Sequence, residues 1–325
     1  MNQGADAVTV SIVIVSYNAV DELTNTLAAI TGPAAPRASH EILVTDNGST
    51  DGAADAAERY AGPLAVHRLG RNTGFGHAVN RTVDRACGEY VLLLNPDATP
   101  KPGAIDAMVD HLVARPADGI VGGRTLDVHG NLEPRSCFGR ITAWSLTASA
   151  LGLSSIARHS RFFAPESLGS WQRDDIRHVD VVSGGLLLTK RSTWHELGGF
   201  DETFLIYGED QDLCLRAAKL GYRPTIAPKA EVVHSIGASS ASKADRDVLV
   251  LTGRATIVRL HLGPLRGYGL AVLRLGVLLR SLAEQVLGRR HGRWTQVWRR
   301  RAEWTGGWQP GARLPGARAT EGRAA

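Results

Sequence analysis

Residues 8–15 read VTVSIVIV, a run dominated by apolar and β-branched side chains. The run is long enough for a strand buried on both faces and too short for a helix across a core. Outward from it, EILVT at 41–45 and YVLLL at 90–94 repeat the pattern, and stretches of helical spacing lie between these runs, within 16–30 and at 74–86. This β-α-β-α-β alternation predicts an α/β fold, a Rossmann-like and mainly parallel sheet with helices on both faces.

The composition places the chain among ordinary globular proteins. Of 325 residues, 43% are hydrophobic and 21% are charged, which excludes a disordered chain, a collagen-like fibre and a disulfide scaffold. The three cysteines, Cys87, Cys137 and Cys214, share no metal-ligand spacing. Because residues 1–10 also lack the basic and apolar regions of a signal peptide, we expect a reduced, cytoplasmic protein.

Charge is divided unevenly along the chain. Residues 251–325 hold 14 Arg, no Lys and 3 acidic residues, a net charge of +11. The first 250 residues hold the remaining 23 basic and 29 acidic residues, a net charge of −6. A basic tail on an acidic body predicts an anionic partner surface.

The same tail has features of membrane-surface segments. Residues 262–288 are rich in Leu and Val, but Arg274, Arg280 and Glu284 favour an interfacial amphipathic helix over a spanning one. Arginine then alternates with tryptophan up to residue 308, at Trp294, Trp298, Trp304 and Trp308. We expect this tail to bind an anionic membrane, and we expect nucleic acid, the competing partner, to be the less favoured one.

Polar clusters follow the predicted strands at 16–18, 46–51 and 95–97. In open parallel sheets, ligands bind at the carboxyl ends of the strands. Carboxylates collect there or at the start of a helix, at Asp46, Asp97, Glu209 and Asp210. Such groups suit metal coordination or general base catalysis, although Asp and Asn also favour turns without any function.

Six motifs follow one another along the chain: SIVIVSYN, EILVTDNGSTDG, RNTGFGHAVNR, YVLLLNPDA, VSGGLLLTKRSTWHELGGFDE and YGEDQDLCLRAAKLGY. The series resembles that of family 2 glycosyltransferases, inverting enzymes of the GT-A fold that use nucleotide-activated sugars. It covers about residues 8–240, and it is most similar to bacterial rhamnosyltransferases that extend lipid-linked cell-wall sugars. The resemblance implies a catalytic domain over 1–240, with a nucleotide-binding half up to 122 and an acceptor-binding half from 123.

The resemblance also implies a set of donor-binding residues. Asp46 matches the carboxylate that accepts a hydrogen bond from the N–H of a pyrimidine ring, which favours a dTDP or UDP sugar. The other positions that match the nucleotide-sugar pocket are Ser16, Tyr17, Asn18, Asn47, Arg71, Asn72, Gly74, Asn80, Asn95 and Asp97. For Gly74, the geometry of a helix start is an equal alternative.

Asn95-Pro96-Asp97 stands where many members of the family carry two acids that hold a divalent cation on the diphosphate. Only Asp97 retains a carboxylate, so we expect it to bind Mg²⁺ or Mn²⁺ with lower affinity than two acids would. His234 matches a histidine that completes the metal site, although a lone histidine is more often structural.

Glu209 and Asp210 match the catalytic pair of the family, with Asp210 as the general base; helix capping is the alternative. Gly184, Gly185 and Trp194 match the acceptor-side wall, and Trp194 is equally suited to the core.

The expected function is transfer of a sugar, L-rhamnose from dTDP-rhamnose being favoured, onto a polyprenyl-diphosphate-linked or other cell-envelope acceptor at the inner face of the cell membrane. The alternatives are a UDP-galactofuranose or UDP-hexose donor, and a binding scaffold without catalysis. A nucleotidyltransferase is disfavoured, since the turn after the first strand lacks a phosphate loop. Residues 241–305 are expected to form a helical membrane-associating extension and 306–325 a disordered tail; the sequence leaves the oligomeric state open.

Overall fold

A mixed sheet forms the centre of the fold. The computed structural model describes residues 9–234, 242–309, 311, 312 and 314. The strands within these residues are β1 (Val10–Ser16), β2 (His40–Asp46), β3 (Leu64–Arg68), β4 (Tyr90–Leu94), β5 (Ala98–Pro100), β6 (Ile120–Leu126), β7 (Cys137–Phe138), β8 (Arg177–His178), β9 (Val181–Val182), β10 (Leu186–Lys190) and β11 (Thr225–His234).

The strand order is β3-β2-β1-β4-β10-β6-β11-β5, and β8 pairs with β11. β1, β2, β3 and β4 are parallel, as are β6 and β11, whereas β10, β5 and β8 run antiparallel to their neighbours. β7 and β9 form a separate two-stranded ribbon. The α/β prediction of a mainly parallel sheet is confirmed.

Helices cover both faces of the sheet and extend beyond its edge. They are α1 (Val20–Ile30), α2 (Ala53–Glu58), α3 (Phe75–Val83), α4 (Ala104–Ala114), α5 (Ala143–Ala150), α6 (Leu153–Ile156), α7 (Arg191–Leu197), α8 (Glu209–Lys219), α9 (Lys243–His261), α10 (Arg266–Val286), α11 (Arg293–Arg299) and α12 (Arg301–Trp304).

β1 shows why the opening run carries no polar alternation. Its side chains at Val10, Ile12 and Ile14 enter one core, which also includes residues of α1 and α4. The alternate positions Val13 and Val15 enter a second core with residues of α3 and α8. Because successive side chains of a strand point to opposite faces, a strand covered on both faces is mostly apolar, and the serines at positions 11 and 16 are the small polar exceptions in β1.

The C-terminal helices belong to the folded body. A third core joins α9, α10 and α11 to Leu146 of α5 and to Phe204, which precedes α8. The extension expected at 241–305 therefore packs against the catalytic region. The boundary expected at 122/123 falls inside β6, so the two halves share one sheet.

The expectation of a tryptophan-rich membrane contact is wrong for two of the four residues. Trp304 is fully buried and its indole N–H donates to the Val297 carbonyl at 3.1 Å. Trp308 is 8% exposed, so the disordered tail does not begin at 306. Two tail arginines also form ion pairs within the protein, Arg293 with Asp247 and Arg300 with Asp245.

Two other expectations for the C-terminal region concern a membrane-spanning helix and a disordered end. Among the described residues, no helix combines the length and the apolar character required to cross a bilayer. Residues 310, 313 and 315–325, the rest of the tail predicted to be disordered, lie outside the described residues.

Trp304→Ala should lower the free energy of unfolding by about 3–5 kcal/mol, because it removes a large side chain from a closed core. Chemical denaturation followed by circular dichroism measures this change. Arg299→Ala is the control, because Arg299 is exposed and lies only five residues before Trp304. It should change the free energy of unfolding by about 0.5 kcal/mol or less. Equal stability of the two variants would contradict the packing of α12 described above.

Candidate active site

The ends of β1 and β2 bring the first predicted donor residues together. Ser16 and Asp46 are register partners, and the Asn47 N–H donates to the Ser16 carbonyl at 2.8 Å. Asp46 is buried, and its carboxylate accepts the backbone N–H of Ser49 at 3.1 Å. The buried Ser16 hydroxyl has no hydrogen-bond partner among the described residues, as a group reserved for a ligand would.

The next two residues differ in their surroundings: Tyr17 is exposed, whereas Asn18 binds a neighbouring loop. Tyr17 is 42% exposed, so its ring is accessible to a ligand. Asn18 has a φ of 50°, in the left-handed region that asparagine tolerates. Its Oδ1 accepts the Thr50 N–H at 2.8 Å, so Asn18 ties the β1–α1 turn to the loop after β2.

Asn47 holds the loop that precedes α3. Its Oδ1 accepts the Thr73 N–H at 2.9 Å, and its Nδ2 donates to Asn72 Oδ1 and to the Gly74 carbonyl, both at 3.2 Å. Arg71, at the start of this loop, is exposed and remains accessible from the same side. The side-chain amides of Asn47 and Asn72 therefore hold this loop in its conformation.

Gly74 is required by close packing. Its φ is 94°, and a side chain there would approach the Leu205 carbonyl oxygen to 2.8 Å. This favours the helix-start interpretation of Gly74, which brings the β3–α3 loop against the segment before α8.

Asn80 is bound by the loop after α7. Its Nδ2 donates to the Phe200 carbonyl at 2.9 Å, and its Oδ1 accepts the Phe200 N–H at 3.0 Å. Both ends of the amide are thus engaged within the protein, and contact with the sugar of the donor stays a prediction.

Asp97 and His234 lie together, as the metal prediction requires. His234 ends β11, which pairs with β5 beside Asp97, and His234 Nε2 lies 3.1 Å from Asp97 Oδ2. His234 Nδ1 is buried and has no partner within the described part of the chain. One carboxylate and one imidazole fit a divalent cation that takes its other ligands from phosphate and water. No group of three or more candidate ligands occurs among the described residues.

Two glycines join this site to the catalytic pair. The Asn95 N–H donates to the Gly185 carbonyl at 2.9 Å, and the Gly184 N–H donates to Asp210 Oδ2 at 3.2 Å. A methyl group at Gly185 would lie 3.0 Å from the Asn95 amide nitrogen. The small residues therefore allow the metal-side turn and the start of α8 to lie on one cleft.

Trp194 lies outside that cleft. It is 2% exposed, and its ring packs edge-on against Phe200 with centroids 5.0 Å apart. Of the two interpretations of Trp194, core residue and acceptor-side wall, this position fits the first.

The catalytic pair occupies the first turn of α8. Asp210 is half-buried, and its Oδ1 accepts the Gln211 N–H at 2.7 Å. Glu209 is 6% exposed, and its Oε2 has no partner among the described residues. Burial, together with repulsion from Asp210, raises the pKa of Glu209 to about 8, and burial also raises the pKa of Asp210. Asp210, the more accessible of the two, is positioned to receive a proton.

The third acid of the turn has a different role. Asp212 Oδ1 lies 2.7 Å from His261 Nε2 of α9, and Asp212 Oδ2 lies 2.7 Å from Arg216 Nε. Desolvation opposes but does not cancel these contacts, which lower the pKa of Asp212. Asp212 therefore anchors α8 to α9.

The turn before the pair is the part of the site that sequence analysis missed. Tyr207 has a φ of 64° and Gly208 a φ of 109°. Gly253 of α9 lies against this turn, where a methyl group would stand 1.9 Å from the Tyr207 carbonyl oxygen. The Trp308 indole N–H donates to the Ile206 carbonyl at 3.2 Å. No local sequence motif predicts these contacts, since they join segments far apart in sequence.

A guanidinium was also missed. Arg135 forms an ion pair with Glu133 at 2.7 Å. That carboxylate, with smaller contributions from Tyr207 and Asp97, raises the pKa of Arg135. Arg135 therefore interacts electrostatically with both Tyr207 and Asp97, while its closest partner is Glu133. It lies in an irregular stretch whose sequence carries no recognisable period.

The structure therefore places Tyr17 and Asp46 at the ends of β1 and β2, Asp97 after β4, and the half-buried Asp210 within hydrogen-bond distance of Gly184. Residues of these types suit group transfer from a nucleotide-activated substrate.

Comparison with known proteins identifies the class. The family model "Glycosyl transferase family 2" matches residues 11–148, and "N-terminal domain of galactosyltransferase" matches 176–237. The chain is 31% identical over 245 residues to the N-acetylglucosaminyl-diphospho-decaprenol L-rhamnosyltransferase of Mycobacterium tuberculosis, covering 69% of this chain and 75% of that protein. It is 25% identical to the rhamnosyltransferase WbbL of Escherichia coli K12, covering 69% and 83%. The chain belongs to glycosyltransferase family 2 and is a glycosyltransferase.

Solved structures agree on the fold. The mannosyltransferase PcManGT from Pyrobaculum calidifontis, in complex with GDP-Man and Mn²⁺, aligns with a TM-score of 0.55 at 20% identity over 90% of this chain and 85% of that one. S. aureus TarS 1–349 aligns with a TM-score of 0.51 at 18% identity, over 83% and 70%. The expected GT-A architecture is confirmed.

Glu209→Gln should make stability less dependent on pH. A carboxyl whose pKa is raised by folding stabilises the folded state below its unfolded value of 4.5, and this contribution is lost as pH rises through about 8. Glutamine does not titrate, so the melting temperature of the variant relative to wild type should rise between pH 4.5 and 8. Asp21→Asn, at an exposed carboxylate, controls for the loss of one charge. A pH-independent difference for Glu209→Gln would contradict the burial of an unpaired acid.

Proposed function

We propose that the enzyme transfers L-rhamnose from dTDP-rhamnose onto a sugar carried by a polyprenyl diphosphate. The observation that carries this proposal is the accessible carboxylate of Asp210, held by the Gly184 N–H at the edge that also bears Asp46 and Asp97. The choice of donor and acceptor is supported by the name of the M. tuberculosis relative, an N-acetylglucosaminyl-diphospho-decaprenol L-rhamnosyltransferase.

The proposed reaction is a single displacement with inversion. Asp210 takes the proton of the attacking acceptor hydroxyl, whose oxygen forms a bond to C1 of the sugar. The bond between C1 and the diphosphate oxygen breaks on the opposite face, and the nucleoside diphosphate leaves with the electron pair. The raised pKa of Asp210 suits it to hold this proton.

The donor end has its own residues. Tyr17 offers a ring for stacking, and Asp46 offers an acceptor for the N–H of thymine or uracil, which selects against cytosine. Arg135 supplies positive charge toward the leaving diphosphate. Asp97 and His234 would hold Mg²⁺ or Mn²⁺, which when bound neutralises charge on the diphosphate.

A UDP-hexose is the second candidate donor, because residues 176–237 match the galactosyltransferase domain. Both donors contain a pyrimidine base that can donate to Asp46. They are therefore separated by the sugar and not by the base.

The proposed place of action is the cytoplasmic face of the cell membrane, with the enzyme bound peripherally. A polyprenyl-linked acceptor is confined to the bilayer, so an enzyme that uses it gains from binding the surface.

Asp210→Asn should lower turnover by about 10²–10⁴-fold, the usual contribution of a general base, and leave dTDP-rhamnose affinity unchanged. The assay follows product by mass spectrometry with a short-chain N-acetylglucosaminyl-diphospho-prenol. Donor affinity is measured by calorimetry, and UDP-galactose is the comparison donor. Wild-type turnover with UDP-galactose and none with dTDP-rhamnose would overturn the donor. Full turnover by the variant would overturn the base.

Asp97→Ala should raise the Mn²⁺ concentration needed for half-maximal activity, because it removes the carboxylate of the cation site. Asn95→Asp should lower that concentration by adding a second carboxylate next to the first. Activity is titrated with Mn²⁺ and Mg²⁺ after treatment with a chelator. Chelated wild-type enzyme working at full rate would contradict the metal assignment and leave Arg135 as the positive charge on the leaving group.

A further inference from the structure

A group of exposed apolar side chains lies on or next to α5, α6 and α10 and on the loop after α6. We call it the apolar face and define it by ten exposed side chains: Trp144, Leu151, Ile156, Phe162, Phe163, Tyr268, Leu275, Leu279, Leu282 and Val286. Exposed apolar residues are common singly, but a contiguous patch marks an interaction site.

Helical spacing organises the part of the apolar face that α10 supplies. Its members follow one another at intervals of seven, four, three and four residues, which places them in one stripe. Leu273 and Val277 of α10 are buried against the body, and Val272, which falls between Tyr268 and Leu275 on the stripe, is buried as well. α10 thus packs apolar side chains against the protein and also exposes an apolar stripe to solvent.

The stripe of α5 adjoins the stripe of α10. Trp144, Thr147 and Leu151 lie on one side of α5, and Thr147 Oγ1 is 2.7 Å from the Tyr268 hydroxyl. The two helices approach closely, since a methyl group at Gly276 would lie 3.0 Å from Ala150 Cα. The two stripes therefore form one surface.

An aromatic cluster extends the surface further. The rings of Trp144 and Phe162 are 4.9 Å apart, and those of Phe162 and Phe163 are 5.1 Å apart. The Trp144 indole N–H donates to the Phe162 carbonyl at 2.6 Å. The loop after α6 is thereby held against α5 with its aromatic side chains exposed.

The charges around the apolar face are of one sign. Segments 143–167 and 262–290, both wholly described, carry exposed arginines at Arg158, Arg161, Arg266, Arg274, Arg289 and Arg290. The two acids in these segments are occupied elsewhere. Glu166 forms an ion pair with Arg254 at 2.7 Å, and Glu284 accepts the Thr295 N–H at 2.8 Å.

We propose that the apolar face is the membrane-docking surface of the enzyme, and that its occupant is an anionic phospholipid bilayer. Leucine and aromatic side chains enter the acyl boundary while the surrounding arginines bind lipid phosphates. The inference deepens the proposed function and rests on it only for the lipid-linked acceptor. It moves the contact from the C-terminal tryptophans, two of which are buried, to α5, α6 and α10.

The apolar face is also connected to the catalytic turn. Gly253 lies against Tyr207, and the next residue, Arg254, binds Glu166 in the segment that follows Phe163. These contacts link the apolar face to the turn that carries Glu209 and Asp210.

Cosedimentation measures binding of the full chain to two kinds of vesicle, phosphatidylcholine alone and phosphatidylcholine with about 30% phosphatidylglycerol. Leu282→Gln/Val286→Gln should weaken binding by about tenfold, since both apolar contacts are lost. Val113→Gln/Val128→Gln, at exposed apolar positions outside the apolar face, is the matched control and should bind as wild type does. Arg158→Gln/Arg274→Gln should remove most of the preference for the anionic lipid.

Wild-type binding that survives Leu282→Gln/Val286→Gln unchanged would overturn the proposal. So would sedimentation velocity showing a wild-type dimer that this variant dissociates, with no binding to vesicles, because the apolar face would then join two copies. The variant should keep wild-type turnover on a water-soluble acceptor. Vesicle binding as described by an enzyme inactive on every tested donor would overturn the proposed function and leave the docking surface standing.

Discussion

The site depends on one strained turn. Tyr207 and Gly208 both have positive φ values, and they direct Glu209 and Asp210 into the cleft at the start of α8. A non-glycine residue in this region costs free energy, and it persists only where the surrounding structure fixes it. Here α9 presses Gly253 onto Tyr207, and Asp212 and His261 bind α8 to α9. The C-terminal helices are therefore part of the catalytic apparatus.

The same turn explains how two acids can be kept side by side. Ionising both carboxyls in a buried site is costly, and protonation of one relieves the repulsion. Backbone N–H groups of Gly184 and Gln211 stabilise charge on Asp210, whereas Glu209 Oε2 has no such partner in the described part of the chain. The neutral form is therefore favoured at Glu209, which is consistent with the role of general base proposed for Asp210.

The sequence predictions that are confirmed rest on local patterns. The apolar run of β1 is dictated by helices on both faces of the strand, and the polar residues that follow it must lie at the carboxyl edge. Tertiary packing decides what those patterns leave open. Asp210 and Asp212 are both acids in one helical turn, and the contacts of Asp212 with His261 and Arg216 give the two carboxylates different surroundings. Likewise, the apolar and arginine-rich pattern of the C-terminal region is compatible with covering a core or a bilayer; Trp304 covers a core, and the outer stripe of α10 covers nothing within the described chain.

The contact between Trp308 and Ile206 joins residues 102 positions apart. During synthesis, the strands, the metal-side residues and the two acids leave the ribosome well before the residue that completes the catalytic turn. A nascent or truncated chain that ends before Trp308 thus has every reacting group and an unfinished support for them. A chain damaged near its end therefore lacks one of the contacts that support a turn encoded about a hundred codons earlier.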